Sequence, residues 1–96
     1  MGHTEQEVQM VWEKGRAVPN NDSAIWRKDE CQAWIQRSKY GNRDSPYGWV
    51  IDQITPAGPD DIANLRPLHW KNFVNKSDGD LKCAVTANGF MNKDVG

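Results

Sequence analysis

Tryptophan constrains the fold of this chain more than any other residue type. The chain has 96 residues, and 5 of them are Trp. A domain of this length buries roughly 60% of the surface of its unfolded chain, and one large aromatic side chain can bury about 150–250 Å². We therefore expect one small domain that covers residues 1–96. We assign Trp26, Trp34, Trp49 and Trp70 to its core, with a surface that stacks nucleic-acid bases as the alternative.

The charge balance counts mildly against tight nucleic-acid binding. The chain carries 12 basic and 13 acidic side chains, for a net charge of −1. Strong non-specific DNA binders carry a basic excess, because neutralising phosphates drives their affinity. Local groups of basic residues are the candidate nucleic-acid contacts, with ordinary solvated surface charge as the simpler interpretation. These candidates are Arg37, Lys39, Arg43, Lys71 and Lys76.

Targeting signals are not evident in the sequence. No stretch approaches the roughly 20 apolar residues that a membrane span needs, and the polar N-terminus does not resemble a signal peptide. We expect a cytoplasmic protein that makes no contact with a membrane.

The two cysteines, Cys31 and Cys83, lie far apart in the sequence, and neither belongs to a C-x-x-C pair. Two cysteines cannot supply the four thiolates of a structural zinc site. We predict that they are separate buried thiols, because free cysteine is often buried. A disulfide is the alternative, and it is disfavoured by the expected cytosolic compartment.

The first half of the chain contains one clear helix signal. Thr4 and Glu7 are spaced as a capping box, and Val8, Val11 and Trp12 then form one apolar stripe. We predict a helix over about residues 5–14, ended by Gly15. A loop at 16–23 follows, and then a short strand at 31–36, for which a helical turn is the alternative.

The second half alternates between strand and turn signals, and the predicted fold class is therefore α+β. Its predicted elements are a strand from Trp49 to Ile54 that ends before Pro56, an edge strand at 65–68, a helix at 69–77 and a closing strand at 81–86.

This second half resembles the HNH endonuclease family. G-W-V-I-D-Q-I stands where the family has G-W-x-I-D-H-I, followed by D-D-I-A-N-L-R-P-L-H-W and then a lysine. Upstream, W-R-K-D-x-C-x-A-W-I and Y-G-N-R are similar to the first part of a small bacterial and phage subgroup. The resemblance covers about residues 8–86. It implies a ββα-metal unit at about 48–77, preceded by an N-terminal helix.

The resemblance also implies roles for individual residues. Asp52 corresponds to a ligand of one divalent cation, which in the family stabilises charge on the scissile phosphate. Asn64 corresponds to the residue that fixes the loop. Gln53 stands where the family has the histidine that activates water, and glutamine cannot act as a base near neutral pH. Phe73 stands at the second ligand position and offers no ligand atom.

Two functional hypotheses follow from these departures. The first is a nuclease-like protein with impaired or no activity, which acts as a nucleic-acid-binding, protein-binding or inhibitory module of a phage or mobile element and requires no cofactor. The second is an active endonuclease that uses Mg²⁺, Mn²⁺ or Ni²⁺ at an unusual site. In the second hypothesis, Asp52 and His69 are the ligands or His69 replaces the base, because we expect His69 on the same helix face as Phe73. His3, near the start of the chain, is given no role.

Overall fold

The computed structural model describes residues 3–77 and 79–95, and it is a mixed α+β arrangement. Two α-helices, six strands and two short 3-10 helices are found in these residues. They are α1 (Glu5–Trp12), β1 (Trp26–Lys28), β2 (Trp34–Gln36), a 3-10 turn (Arg37–Lys39), β3 (Trp49–Gln53), a second 3-10 turn (Ile62–Asn64), β4 (Leu65–His69), α2 (Trp70–Val74), β5 (Val85–Asn88) and β6 (Met91–Asp94).

Helix α1 begins with the predicted capping box. The Thr4 hydroxyl accepts a hydrogen bond from the Glu7 backbone N–H, and the Glu7 carboxylate accepts one from the Thr4 backbone N–H. The helix ends two residues earlier than predicted, at Trp12, because the N–H groups of Lys14 and Gly15 bond to carbonyls three residues back. Its buried face packs against β4.

The hydrophobic core forms where α1 meets the second half of the chain. The rings of Trp12 and Trp49 lie 5.3 Å apart between centroids, and both side chains are fully buried. The core assignment is confirmed for Trp49 and Trp34, whereas Trp26 and Trp70 are only half-buried. Tryptophan therefore supplies the centre of the core and part of its edge.

The strands form three separate two-stranded antiparallel sheets, β1–β2, β3–β4 and β5–β6. In the central pair, β3 and β4 are in a register that places Asp52 opposite Arg66 and Gln53 opposite Leu65. Strand β4 is an edge strand, as Pro67 led us to expect, because its sheet has only two strands, and all of its residues are buried. Helix α2 follows directly, so the order strand, loop, strand and helix is observed.

Element boundaries differ from the sequence expectations in other places as well. Helix α2 spans only Trp70–Val74, and His69 is the last residue of β4 rather than part of the helix. The predicted strand at 31–36 is restricted to Trp34–Gln36. The closing strand at 81–86 begins only at Val85, and it pairs with β6, which the sequence did not indicate.

The prediction of two separate thiols was wrong, because Cys31 and Cys83 form a disulfide. Their Cα atoms lie 5.5 Å apart, and 52 positions separate them in the sequence. Cys31 is buried in the turn between β1 and β2, whereas Cys83 is exposed just before β5. The bond thus joins the first hairpin to the C-terminal one.

Among residues 3–77 and 79–95, no helix has both the length and the apolar character needed to cross a membrane.

Reduction of the disulfide is expected to destabilise the domain. Opening a covalent loop that spans 52 positions should lower the free energy of unfolding by about 2–4 kcal/mol, because the unfolded chain regains conformational freedom. Urea denaturation with and without dithiothreitol measures the difference. The double variant Cys31→Ala/Cys83→Ala is the control, and its stability should not respond to dithiothreitol. Two titratable thiols in the folded, untreated protein would contradict the prediction.

Candidate functional site

An open cleft of about 470 Å³ lies where β3 ends and the chain leaves α2. It gathers three of the residues that the sequence singles out for chemistry, Asp52, Gln53 and Phe73, together with Lys76. The full lining is His3, Ile51, Asp52, Gln53, Pro56, Asp60, Leu65, Phe73 and Lys76.

The carboxylate of Asp52 is bound by two cations. One oxygen accepts a hydrogen bond from Arg66 Nε at 2.7 Å, and the other accepts one from Lys76 Nζ at 2.6 Å. The cross-strand register brings Arg66 opposite Asp52, and Arg66 also binds Glu30 at 2.8 Å. Asp52 is only 1% exposed. A buried carboxylate needs such partners, so these ion pairs neutralise the charge that a metal would otherwise use.

Gln53, the next residue, lies at the cleft wall and is half-buried. Its carboxamide can donate and accept hydrogen bonds, but it does not take up a proton near neutral pH. Its backbone carbonyl accepts a hydrogen bond from Lys76 Nζ at 3.3 Å. The cleft therefore has a polar group, but no base, at the position of the family histidine.

Phe73 is the half-buried aromatic wall of the cleft. The guanidinium of Arg43 lies 5.8 Å from the centre of its ring, within the range of a cation–π contact. The preceding residue, Asn72, is fully buried and directed elsewhere. Its amide donates to Asp29 and to the Val85 carbonyl, so it does not supply the missing ligand.

Asn64 holds the loop that leads from β3 to β4. Its side-chain oxygen accepts from the Thr55 N–H at 2.8 Å, and its amide donates to the carbonyls of Thr55 at 3.0 Å and Pro59 at 2.8 Å. A side chain on Gly58 would crowd this amide, since an added Cβ would lie 3.0 Å from the Asn64 nitrogen. These bonds are the kind that the resemblance implies for a loop-fixing asparagine.

His69 does not join this cleft. Its Nδ1 accepts a hydrogen bond from the Lys71 N–H at 3.0 Å, so Nε2 carries the proton and donates it to the Pro46 carbonyl at 2.8 Å. Burial lowers the pKa of His69 more than the Pro46 bond and the nearby Asp29 raise it. The expectation that His69 shares a helix face with Phe73 is corrected, because His69 ends β4 and lines a different pocket.

The five basic candidates do not form one continuous surface. Three of them form ion pairs with carboxylates. Arg37 pairs with Glu5 at 2.5 Å, Lys71 with Asp94 at 4.0 Å and Lys76 with Asp52 at 2.6 Å. Arg43 lies exposed at the Phe73 wall, and Lys39 is half-buried in the first 3-10 turn. Of these five candidates, only Lys76 lines the cleft, and Arg43 is next to it only through its contact with the Phe73 ring.

Some residues at or behind the cleft were missed from the sequence. His3 and Asp60 both line it, yet they come from the N-terminal arm and from a loop, and no local pattern connects them. Asp29 is 3% exposed and binds the start of α2 through the His69 N–H at 2.9 Å. The sequence feature that could have indicated Asp29 was its place in the W-R-K-D-x-C segment.

The cleft residues do not fit the divalent cation that the resemblance implies. In the part of the chain that the structure describes, no three His, Cys, Asp or Glu side chains lie close enough together to hold a metal ion. Of the positions that the resemblance assigns to metal binding, only Asp52 has a ligand oxygen, and both of its oxygens are bound to cations. Hard divalent cations need several oxygen ligands, so we assign no metal-dependent step to this site.

Comparison of the chain with protein-family models, with curated proteins and with solved structures gives no match in any of the three. The family assignment therefore stays a prediction from the motifs.

Removal of the Asp52 charge is expected to destabilise the fold. In Asp52→Asn, the buried guanidinium of Arg66 loses its closest carboxylate, and breaking a buried pair in this way costs about 3–5 kcal/mol. Urea denaturation measures the loss. Asp60→Asn removes an exposed carboxylate from the same cleft and is the matched control, with an expected change within about 0.5 kcal/mol. Equal losses in the two variants would contradict this interpretation of Asp52.

Acidification is expected to destabilise the protein through His69. The folded pKa lies below the ordinary value of 6.5, so the unfolded chain binds the proton more readily. The contribution of neutral His69 to the free energy of unfolding is fully present above pH 6.5. It is lost as the pH falls from that value through the folded pKa. Urea denaturation at about pH 7.5 and about pH 5.5 brackets the histidine range. His69→Gln should flatten the dependence, and His3→Ala should retain it. An unchanged dependence in His69→Gln would overturn the assignment.

Proposed function

We propose that this protein is a nuclease-like module that binds nucleic acid at the cleft and does not cleave it. The observation that carries the proposal is the state of Asp52, whose two oxygens are held by Arg66 and Lys76. A carboxylate in this state stabilises the fold, and as a single side chain it supplies too few oxygen ligands to hold a hard cation by itself.

The neighbouring substitutions support the same conclusion. A positioned general base contributes typically about 10²–10⁴-fold to rate, and Gln53 cannot supply that contribution. Phe73 replaces a ligand by an apolar ring, which cannot bind a hard cation. The residue that was proposed as a substitute, His69, has both ring nitrogens in hydrogen bonds away from the cleft.

Nucleic-acid binding at the cleft is supported by Arg43. Arg43 is exposed, and its guanidinium lies over the ring of Phe73, which is a wall of the cleft. Arginine binds phosphate with paired N–H donors, and an aromatic neighbour limits its motion. The cleft offers few such cations, and the whole chain has a net charge of −1. The expected binding is therefore weak and depends only slightly on salt. Each neutralised phosphate contributes about −0.9 to the slope of the logarithm of the binding constant against the logarithm of the salt concentration.

Two other functions have less support. A metal-dependent endonuclease built on Asp52 and His69 requires two side chains that the fold separates. His3 is the histidine that does line the cleft, and an active form would need it as the base. The other non-cleaving function is binding of a protein partner by mimicry of a nuclease domain. Arg43 favours nucleic acid as the ligand, because its guanidinium suits a phosphate.

A plasmid-nicking assay with a paired rescue tests the proposal. The wild-type protein should give no metal-dependent nicking with Mg²⁺, Mn²⁺ or Ni²⁺. The double variant Gln53→His/Phe73→Asn restores the base and the ligand at positions that are both half-buried, and it should gain nicking activity. Nicking by the wild-type protein would overturn the non-cleaving proposal. A double variant that folds but does not nick DNA would contradict the proposal that the cleft is an HNH-like site.

The same preparations should be tested for duplex binding by fluorescence anisotropy at low salt. Arg43→Ala should weaken binding about fivefold, as expected for one lost phosphate contact. Lys93→Ala removes an exposed positive charge from β6, outside the cleft, and should leave the affinity unchanged. Equal effects of the two variants would mean that the cleft does not direct binding.

A further inference from the structure

A second concave site lies on the other hairpins, and its walls are aromatic. Asn21, Trp26, Trp34 and Phe90 enclose a slot of about 170 Å³. The slot shares no lining residue with the cleft around Asp52. We propose that it binds one base of a single-stranded nucleic acid.

Phe90 forms the open wall of the slot and is unusually exposed for an aromatic residue. It follows Gly89, whose φ of +68° allows the tight turn between β5 and β6. The Phe90 side chain is 79% exposed, although its ring is stacked on Trp34 at 6.4 Å with an interplanar angle of 25°. Exposed apolar surface at a concave site is a recurrent mark of binding.

Trp26 forms the opposite wall. Its ring meets Trp34 edge-on, with 6.1 Å between centroids and an angle of 84°. Tyr47 holds Trp26 from the other side at 5.0 Å and 89°. The walls are thus set by neighbouring rings and do not depend on a ligand for their positions.

The hairpin that carries Phe90 is fastened to β2. Asn92 pairs with both backbone groups of Trp34, accepting from its N–H at 2.6 Å and donating to its carbonyl at 2.9 Å. The Trp34 indole N–H donates to the Gly89 carbonyl at 2.7 Å. This preorganisation reduces the entropy that a ligand must otherwise offset on binding.

Polar groups are available at the slot as well. Four of the five indole N–H groups donate to backbone carbonyls, those of Trp12, Trp34, Trp49 and Trp70. The Trp26 indole has no such partner among residues 3–77 and 79–95. Asn21 also lines the slot. Its amide nitrogen donates to the Pro19 carbonyl at 3.2 Å, and its side-chain oxygen can accept a hydrogen bond from a base.

The charge beside the slot indicates which of two kinds of ligand it binds. Aromatic walls bind either organic cations or flat neutral rings. Lys28 Nζ already lies 4.8 Å from the centre of the Trp34 ring, and it would repel a second cation. It attracts an anion instead. A flat ring linked to a phosphate satisfies both conditions, and in a single strand its face is free to stack.

Anisotropy with a labelled oligothymidylate of about ten nucleotides, a length that spans one ordinary single-strand site, tests the proposal. Phe90→Ala should weaken binding about tenfold, because stacking of one base is lost. Phe90→Trp should preserve the affinity, since it keeps an aromatic face. The neighbouring residue Met91 is 66% exposed, and Met91→Ala is the matched control, with no expected change.

Three outcomes overturn the proposal. One is the absence of oligothymidylate binding by the wild-type protein at about 100 µM, near the weak end of non-specific affinities. Another is equal affinity of wild-type protein and Phe90→Ala. The third is tighter binding of tetramethylammonium than of the oligonucleotide. The slot does not depend on the cleft, so the experiment is repeated in Arg43→Ala, where the Phe90 effect should persist even if duplex binding at the cleft fails.

Discussion

The buried carboxylate of Asp29 is the interaction on which most of the structure depends. It is 3% exposed and accepts four hydrogen bonds at 2.9 Å, from the N–H groups of Cys31, Ala33 and His69 and from the amide of Asn72. The first two bonds shape the β1–β2 turn, and the other two fix the start of α2. Since an unpaired buried charge is very costly, these two regions must form together.

The network continues through Asn72 and thereby sets the direction of the whole of α2. Its side-chain oxygen accepts from the N–H groups of Ala84 at 2.7 Å and Val85 at 2.9 Å, next to the disulfide at Cys83. Successive helical residues differ by about 100° in direction. With Asn72 held inward, Phe73 turns toward the cleft. A substitution at residue 73 therefore changes the side chain in the cleft. The hydrogen bonds of Asp29 and Asn72 that position α2 stay intact.

Local patterns predicted the parts of this fold that depend on neighbouring residues. The capping box at Thr4 and the strand that begins at Trp49 are examples, because their hydrogen bonds and alternation lie within a few positions. Pairing of Cys31 with Cys83 depends on tertiary contacts across 52 positions, which no local pattern contains. At His69, a shift of one residue in the strand boundary is enough to put the side chain in a different pocket from Phe73.

The aspartate that the HNH resemblance assigns to metal binding is weak evidence for catalysis. Asp52 lies opposite Arg66, and together with Lys76 it forms a buried ion-pair group whose disruption would destabilise the fold. Selection for stability alone would keep it. Gln53 and Phe73 are half-buried at the cleft wall, where folding tolerates several side chains. Because their identity is less constrained by stability, these two positions carry more information about the reaction that the resemblance implies, and neither side chain can act as a general base.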